Sequence, residues 1–370
     1  VEIEYFNLRV LSAKYLKPLG LSLNMELDNL LVKILKFNFN DSVTINAANI
    51  NDFDLNEHEK SMLTGINLII PIKHKNELIG ALAFGNKKSG KAFSEEDIDL
   101  LKSFASQSAV SLENTRLNIE QINKQKYEEE VSIAKRIQNS LLPNEDSAHS
   151  RLSISGYSEP ARDIGGDFYD IINISEDKVL VAIADVSDKG IPAALYMSQV
   201  QAVLQFASNI FWSPKEMLSE INKQIYGQFS RNSFVTILLA LFDLKQNKVS
   251  VARAGHTPLI RLRNNRIENI YTKGIGIGLD KENIFNTNIE ELSLDILPND
   301  IYMLYSDGVS ESMNIQKELF GSARIESLLL KNPSSSPDSI KSSLLTSLRS
   351  FTQNTETHDD ITFVILRITP

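Results

Sequence analysis

The chain has 370 residues, 42% of them hydrophobic, a formal net charge of -9 and no cysteine. That length exceeds one ordinary core and predicts two or three domains. The lack of Cys excludes disulfide scaffolds, thiolate zinc sites, cysteine-nucleophile phosphatases and redox motifs, and it fits a reducing cytoplasm. The acidic balance argues against a nucleic-acid footprint, which needs a basic face to displace counterions. Apolar runs such as FVTILLALF (234–242) have strand length and fall short of the roughly 18 to 20 residues that cross a bilayer, so no membrane span is expected. The chain opens on Val1 with no basic start, apolar stretch and small-residue cleavage site, and further sequence upstream of it is expected.

Residues 1 to about 92 alternate short apolar runs with polar turns, the clearest being LIIPIKHKNELIGALAF (68–84), which reads as two strands around KHKNE. Ser94 followed by Asp97 resembles a capping box. From there Ile98, Leu101, Ala105, Ser108, Leu112, Thr115, Ile119 and Ile122 recur at three- and four-residue spacing and predict one long helix. The stripe lapses over NKQKYEEE and resumes one position out of phase at Tyr127, Val131, Ala134 and Leu141, until Pro143 stops the helix. That phase slip marks a mechanically weak point, and the stripe suits either a neighbouring domain or a dimeric coiled coil.

NEDSAHS (144–150) reads as a loop. Beyond it, strands are expected near 152–157, 178–184, 234–243, 247–254, 300–306 and 361–368, and helices near 191–208, 214–230 and 336–353. Mostly adjacent strands with helices not regularly interleaved predict an antiparallel α+β sandwich rather than a parallel, doubly wound sheet.

Four aspartates sit where an apolar run breaks into a turn or starts from one: Asp167 in IGGDFYD, Asp185 in VLVAIADVSDKG, Asp307 in IYMLYSDGVSE and Asp359 in THDDITFVIL. Singly, each is an ordinary turn residue. Jointly they read as a carboxylate-only centre for hard cations such as Mg²⁺ or Mn²⁺, held rigidly at strand ends yet open to solvent. Gly165 and Gly166 let the backbone crowd that site.

These residues resemble a family, the bacterial PPM-type serine/threonine phosphatases of the SpoIIE and RsbU group, relatives of PP2C. The resemblance runs in order through IAKRIQNSLLP (133–143), EPARDIGGDFYD (159–170), IADVSDKGIPAALYM (183–197), FVTILLALFD (234–243), ARAGHTPLI (252–260), GIGIGL (274–279), YSDGVSESMN (305–314) and DDITFVIL (359–366). It implies an α-β-β-α antiparallel sandwich and a two-metal phosphomonoesterase using Mn²⁺ or Mg²⁺. By motif, Asp185 is expected to bridge both metals, with the Val186 carbonyl and Asp167 serving the first and Asp307 and Asp359 the second. It further implies a phosphorylated STAS-domain anti-anti-sigma protein as substrate, and regulation and homodimerisation through the helix over 94–142. Asp188 stands where the family has Gly, and Arg253 where it has Asn. His256 and His358 read as structural neighbours of the site, with His256 an alternative proton donor.

Residues 77–117 resemble the C-terminal half of a GAF domain. Asn86, Lys87, Phe93 and Asp97 partly match its nucleotide-binding pattern, but Ile98 replaces the closing acid. GNKKSGKA (85–92) also matches a phosphate-binding loop, except that Ala92 replaces the hydroxyl that would bind Mg²⁺. The expected organisation is a GAF-like sensor at 1–93 whose ligand is open, a helical transmitter at 94–143 and a phosphatase domain at 144–370. The alternative is a catalytically silent, phosphatase-like interaction protein.

Overall fold

The structure is a computed structural model. It describes residues 9–11, 30, 34, 42–44, 52–75, 77–143, 151–230, 233–281, 283–353, 355 and 358–370. The loop expected over 144–150 and most of the first fifty positions lie outside the described residues. The chain divides into two compact units, Val1–Glu128 and Glu129–Pro370.

In the first unit β1 (Arg9–Leu11), β2 (Val43–Thr44), β3 (Leu68–His74) and β4 (Glu77–Phe84) form one antiparallel sheet in the order β1-β4-β3-β2. The expected hairpin is β3–β4. Its two-residue period sorts side chains: Leu68, Ile70, Ile72, Leu82 and Phe84 pack with Ala105 and Ala109, while Ile69 and Ala81 join Leu30, Ile34, Val43 and Leu63 on the other face. A short helix, α1 (Glu57–Met62), starts on a capping box between Asn56 and Glu59.

The long helix, α2, spans Glu95–Leu141 without interruption. Its start is the expected one: the Ser94 amide donates to Asp97 at 2.7 Å and the Asp97 amide to the Ser94 hydroxyl at 3.3 Å. Ile98, Leu101, Ala105, Ala109 and Leu112 pack on the sheet. Every residue from 121 to 130 is exposed, and burial resumes at Val131 rather than at Tyr127, which is 56% exposed. The slip is therefore a full lapse of packing, about three turns long by helix geometry.

The second unit is the sandwich. One sheet runs β12-β9-β8-β7-β6 and the other β11-β10-β13-β14-β5, with every strand pairing antiparallel. The first comprises β6 (Phe168–Ser175), β7 (Lys178–Val186), β8 (Val235–Asp243), β9 (Lys248–Ala254) and β12 (Glu291–Asp295). The second comprises β5 (Leu152–Glu159), β10 (Leu259–Arg263), β11 (Arg266–Ile270), β13 (Ile301–Tyr305) and β14 (Ile361–Ile368). Helices α3 (Ile191–Ser208) and α4 (Pro214–Ile225) cover the first sheet. Short α5 (Asn283–Asn288) and α6 (Asp307–Glu311) precede α7 (Ser322–Lys331) and α8 (Pro337–Thr352), which cover the second sheet. The expected α-β-β-α layering is what the chain forms.

Strand parity divides the three cores. On β7 Leu180, Ala182, Ala184 and Val186 face the helices, whereas Val179, Val181 and Ile183 face the opposite sheet with Tyr302, Leu304, Val364 and Leu366. A strand buried on both sides reads as a continuous apolar run, which is why β7 and β8 stood out in the sequence. The helix expected at 214–230 stops at Ile225, followed by Gly227 at φ 80.

Candidate metal centre

Continuing the parity of β7 past Ile183 places Asp185 between the sheets, at the strand's open end. Phe168 pairs with Ala184, so Asp167, one residue earlier, lies opposite Asp185 across the β6–β7 ladder. On the second sheet Tyr305 pairs with Phe363, which brings Ser306 against Thr362, and the Ser306 amide donates to the Thr362 carbonyl at 2.9 Å. Asp307 then opens α6, and Asp359 and Asp360 precede β14. All four sequence-predicted aspartates thus meet at one edge of the sandwich.

Their electrostatics report the convergence. Burial pushes Asp185 up to about 7, with the charges of Asp307, Asp359 and Asp360 adding to the rise. Burial, then the charges of Asp185 and Asp360, raise Asp167 well above the carboxylate range against the hydroxyls of Ser306 and Thr362. Asp307 is raised by burial, then by Glu311 and Asp359, and is eased by Lys189. Clustered carboxylates that repel one another in this way suit a cation. Asp167 Oδ2 is buried and finds no hydrogen-bond partner among the described residues, an uncompensated acceptor that a cation or its water shell would satisfy. An ammonium, Lys189 Nζ, already lies 3.2 Å from Asp359 Oδ1. The Val186 carbonyl lies 3.0 Å from where a Cβ on Gly166 would sit, so it borders the loop carrying Asp167. The donor set therefore fits hard divalent ions. Among the described residues no three His, Asp or Glu side chains close around a single ion position.

Asp360 has a different task from its neighbour. Thr362, Val364 and Leu366 alternate into the inter-sheet core, and the same parity sends Asp360 there while Asp359 stays half-exposed. Asp360 Oδ2 accepts from the Gly166 amide at 2.7 Å and the Asp167 amide at 3.2 Å, and Oδ1 accepts from the Ala161 amide at 2.8 Å. It ties the loop before β6 to the start of β14. The fit explains two glycines. A Cβ on Gly165 would sit 2.2 Å from Asp360 Oδ2, and one on Gly308 would sit 2.1 Å from the Asp360 carbonyl oxygen.

Sequence reasoning missed Asp360's role, and it also missed Gln138. The Gln138 amide, on α2, donates to the Gly165 carbonyl at 2.7 Å and accepts from the Gly165 amide at 3.3 Å. Near the end of the same helix the Leu141 carbonyl accepts from Gln201 at 2.7 Å, and Gln201 also donates to buried Asp170 at 3.1 Å. The signal available for Asp360 was the alternation of β14; none marked Gln138, whose partner is 27 residues away.

The remaining candidates resolve into structural roles. His256 is buried, its Nδ1 shares a 2.8 Å hydrogen bond with Thr236, and burial pushes it down to about 3, which disfavours the charged form. Arg253 donates to the carbonyls of Thr272 (2.7 Å) and His256, bracing that turn rather than the carboxylates. Asp188 accepts from the Ser233 hydroxyl and fastens its own turn to the start of β8. His358 is exposed and offers its carbonyl to Lys189 at 2.6 Å. In the first unit Lys87 pairs with Asp97 at 2.6 Å and lies 5.7 Å from the Phe93 ring centroid. The hydrogen bond from Lys87 is the main reason Asp97 falls to about 2. The partial nucleotide-binding pattern is thus largely consumed in a strand-to-helix clasp. The phosphate-loop match fails as well, because the helix begins at Glu95, four residues past Lys91.

Residues 175–369, more than half of the chain, match the family model described as Stage II sporulation protein E (SpoIIE), and residues 39–113 match a GAF domain. Asp167 falls before the first match. The chain is 26% identical over 245 residues to phosphoserine phosphatase RsbU of Bacillus subtilis, covering 66% of this chain and 71% of that protein. It is 26% identical to protein IcfG of Synechocystis sp., covering 64% of this chain and 41% of that protein. Its fold matches the SiaA-PP2C domain of Pseudomonas aeruginosa with a TM-score of 0.60 at 18% identity, over 66% of this chain and 98% of that one. The matched sandwich and the converging carboxylates agree on one conclusion: the chain belongs to the SpoIIE family, with a GAF domain ahead of its PP2C-like sandwich.

Proposed function

We propose that the chain is a metal-dependent protein serine/threonine phosphatase, and that Asp185 holds both ions, with Asp167 and the Val186 carbonyl on one side and Asp307 and Asp359 on the other. The observation that carries this reading is the convergence of Asp167, Asp185, Asp307 and Asp359 from strand ends of both sheets at one edge of the sandwich. Bound divalent ions supply Lewis-acid charge for phosphoryl oxygens and lower the pKa of water. The protein's own part is placement. The ladder between β6 and β7 sets Asp167 against Asp185, Asp360 fixes the loop that carries Asp167, and Ser306 and Thr362 place their hydroxyls beside Asp167. Burial keeps His256 from charging near neutral pH, so it is a poor general acid. No Cys is present to form a phosphoenzyme.

RsbU and RsbP of Bacillus subtilis are both named phosphoserine phosphatases, which supports phosphoserine as the substrate class. On the family's pattern the substrate is a phosphorylated STAS-domain protein in a partner-switching pathway, with residues 1–93 as sensor, 94–143 as transmitter and 144–370 as phosphatase. The chain acts in the cytoplasm as a homodimer through α2. No described helix is long and apolar enough to cross a membrane.

The test is phosphate release from a phosphoserine STAS protein and from p-nitrophenyl phosphate, with Mn²⁺ and with EDTA. Release that requires the metal supports the enzyme; inertness with Mn²⁺ and Mg²⁺ alike would favour the silent, partner-binding alternative. The transmitter role has its own expectation. Removing four residues, 123–126, takes out about one turn where no side chain packs. It should change the rate severalfold, without loss of Mn²⁺ binding by residues 129–370. An unchanged rate would dispose of that role.

A further inference from the structure

The turn between β7 and α3 carries a cation whose position none of the preceding roles explains. Lys189 Nζ lies 3.2 Å from Asp359 Oδ1 and 2.6 Å from the His358 carbonyl, and its charge reaches Asp307. The turn that displays it is pinned on both sides. The Ser187 amide donates to the Phe234 carbonyl at 3.0 Å, the Phe234 amide donates to the Ser187 hydroxyl at 2.9 Å, and Asp188 accepts from Ser233. Asp188, the departure from the family's Gly, thus helps hold the turn that presents Lys189. Beside the pair lies a cavity of about 130 Å³, lined by Lys189, Glu311, Met313, Thr355, His358 and Asp359, into which a displaced ammonium can swing.

We propose that Lys189 is a tethered competitor for the second ion: it pairs with Asp359 Oδ1 when that carboxylate holds no metal and weakens the hold of Asp359 on a divalent cation. The inference rests on the placement of the second ion at Asp307 and Asp359. The ammonium offsets the negative charge that attracts a divalent ion, Oδ1 already accepts from the Asp360 amide at 3.1 Å, and both partners of the pair are 44% exposed, so exchange between them is unhindered. Lys189 also supplies positive charge to a cluster that otherwise repels itself. Its effect is to weaken the second ion selectively, leaving the ion at Asp167 and Val186 untouched.

Titration of the full chain with Mn²⁺ by isothermal calorimetry, with free ion followed by electron paramagnetic resonance, tests this directly. In Lys189→Met the weaker of two Mn²⁺ ions should bind about three- to fivefold more tightly, the scale an exposed ion pair supports. The tighter ion should be unchanged, and Lys189→Arg should stay near wild type. Metal-free melting curves establish that both variants fold. An unchanged second ion, or equal tightening of both, which a general field effect would give, overturns the inference while leaving the metal centre standing. Absence of Mn²⁺ uptake in the wild type, or two ions retained in Asp359→Asn, overturns the metal assignment and the inference with it.

Discussion

Asp185→Asn should lower metal-dependent phosphate release by at least about a thousandfold while making the metal-free protein more stable. The loss follows from the several kcal/mol of transition-state charge stabilisation that metal ions provide, since about 4 kcal/mol corresponds to a thousandfold in rate. The gain follows from where the carboxylate sits. Burial, reinforced by Asp307, lifts Asp185 from 3.8 to about 7. A carboxyl whose folded value lies above its unfolded value favours the fold fully below about pH 4, and that contribution is lost as pH rises through about 7. Metal-free wild type should therefore lose stability from pH 4 to pH 7 and level off above it. An amide has no proton to lose. With Asp167 sharing the same titration, the variant should exceed wild type by roughly 1–3 kcal/mol at pH 8 in EDTA. Saturating Mn²⁺ should reverse the order, because ligand binding stabilises only the form that binds. Urea unfolding at pH 5 and pH 8, with EDTA and with Mn²⁺, provides the comparison. A variant less stable than wild type at pH 8 in EDTA would contradict the placement of Asp185 among like charges.

The same geometry explains which parts of the molecule were readable in the sequence. Strands β7 and β8 are apolar on both faces because a helix layer and a sheet cover them, so they stand out as runs. Strands β10 and β11 hid behind their charges: Arg261 pairs with Glu268 across the hairpin, and Arg263 pairs with Asp300. Strand β12 escaped notice as a five-residue edge strand with no fully buried side chain. The long helix was readable from its cap and stripe, but its exposed stretch was read as a short phase slip, because Tyr127 looks apolar in sequence yet lies exposed. The four aspartates were readable because each interrupts its own run. The groups that position them were not. Gln138 and the hydroxyls of Ser306 and Thr362 act through partners brought near only by folding, and no local pattern marks such a contact.

Asp359 and Asp360 are neighbours of identical chemistry, and their removal should have opposite consequences. Asp359→Ala removes a half-exposed carboxylate whose ion pair with Lys189 is itself half-exposed, and such pairs contribute about 0–1 kcal/mol. Its metal-free stability should match wild type within about 1 kcal/mol, while Mn²⁺ binding at the second position and activity fall together. Asp360→Ala deprives the amides of Ala161, Gly166 and Asp167 of their acceptor, two of those bonds lying in the buried interior. Hydrogen bonds to an ionised group contribute about 1.5–3 kcal/mol each, and an orphaned buried amide costs about 1–3 kcal/mol more. Some of this is offset, because Asp360 also repels Asp167 and Asp185 and its loss relieves that strain. Three donors outweigh these repulsions, so a net destabilisation of about 3–5 kcal/mol is expected, a scale reserved for broken buried networks. Asp360→Asn, which keeps one acceptor oxygen but turns an amide toward the remaining donors, should fall between the two. Urea unfolding in EDTA orders the variants, and calorimetric Mn²⁺ titration of those that fold separates ligand loss from loop loss. Should Asp360→Ala prove as stable as Asp359→Ala, the loop around Gly165 and Gly166 would be held by other contacts, and strand parity would have lost its power to tell the two aspartates apart.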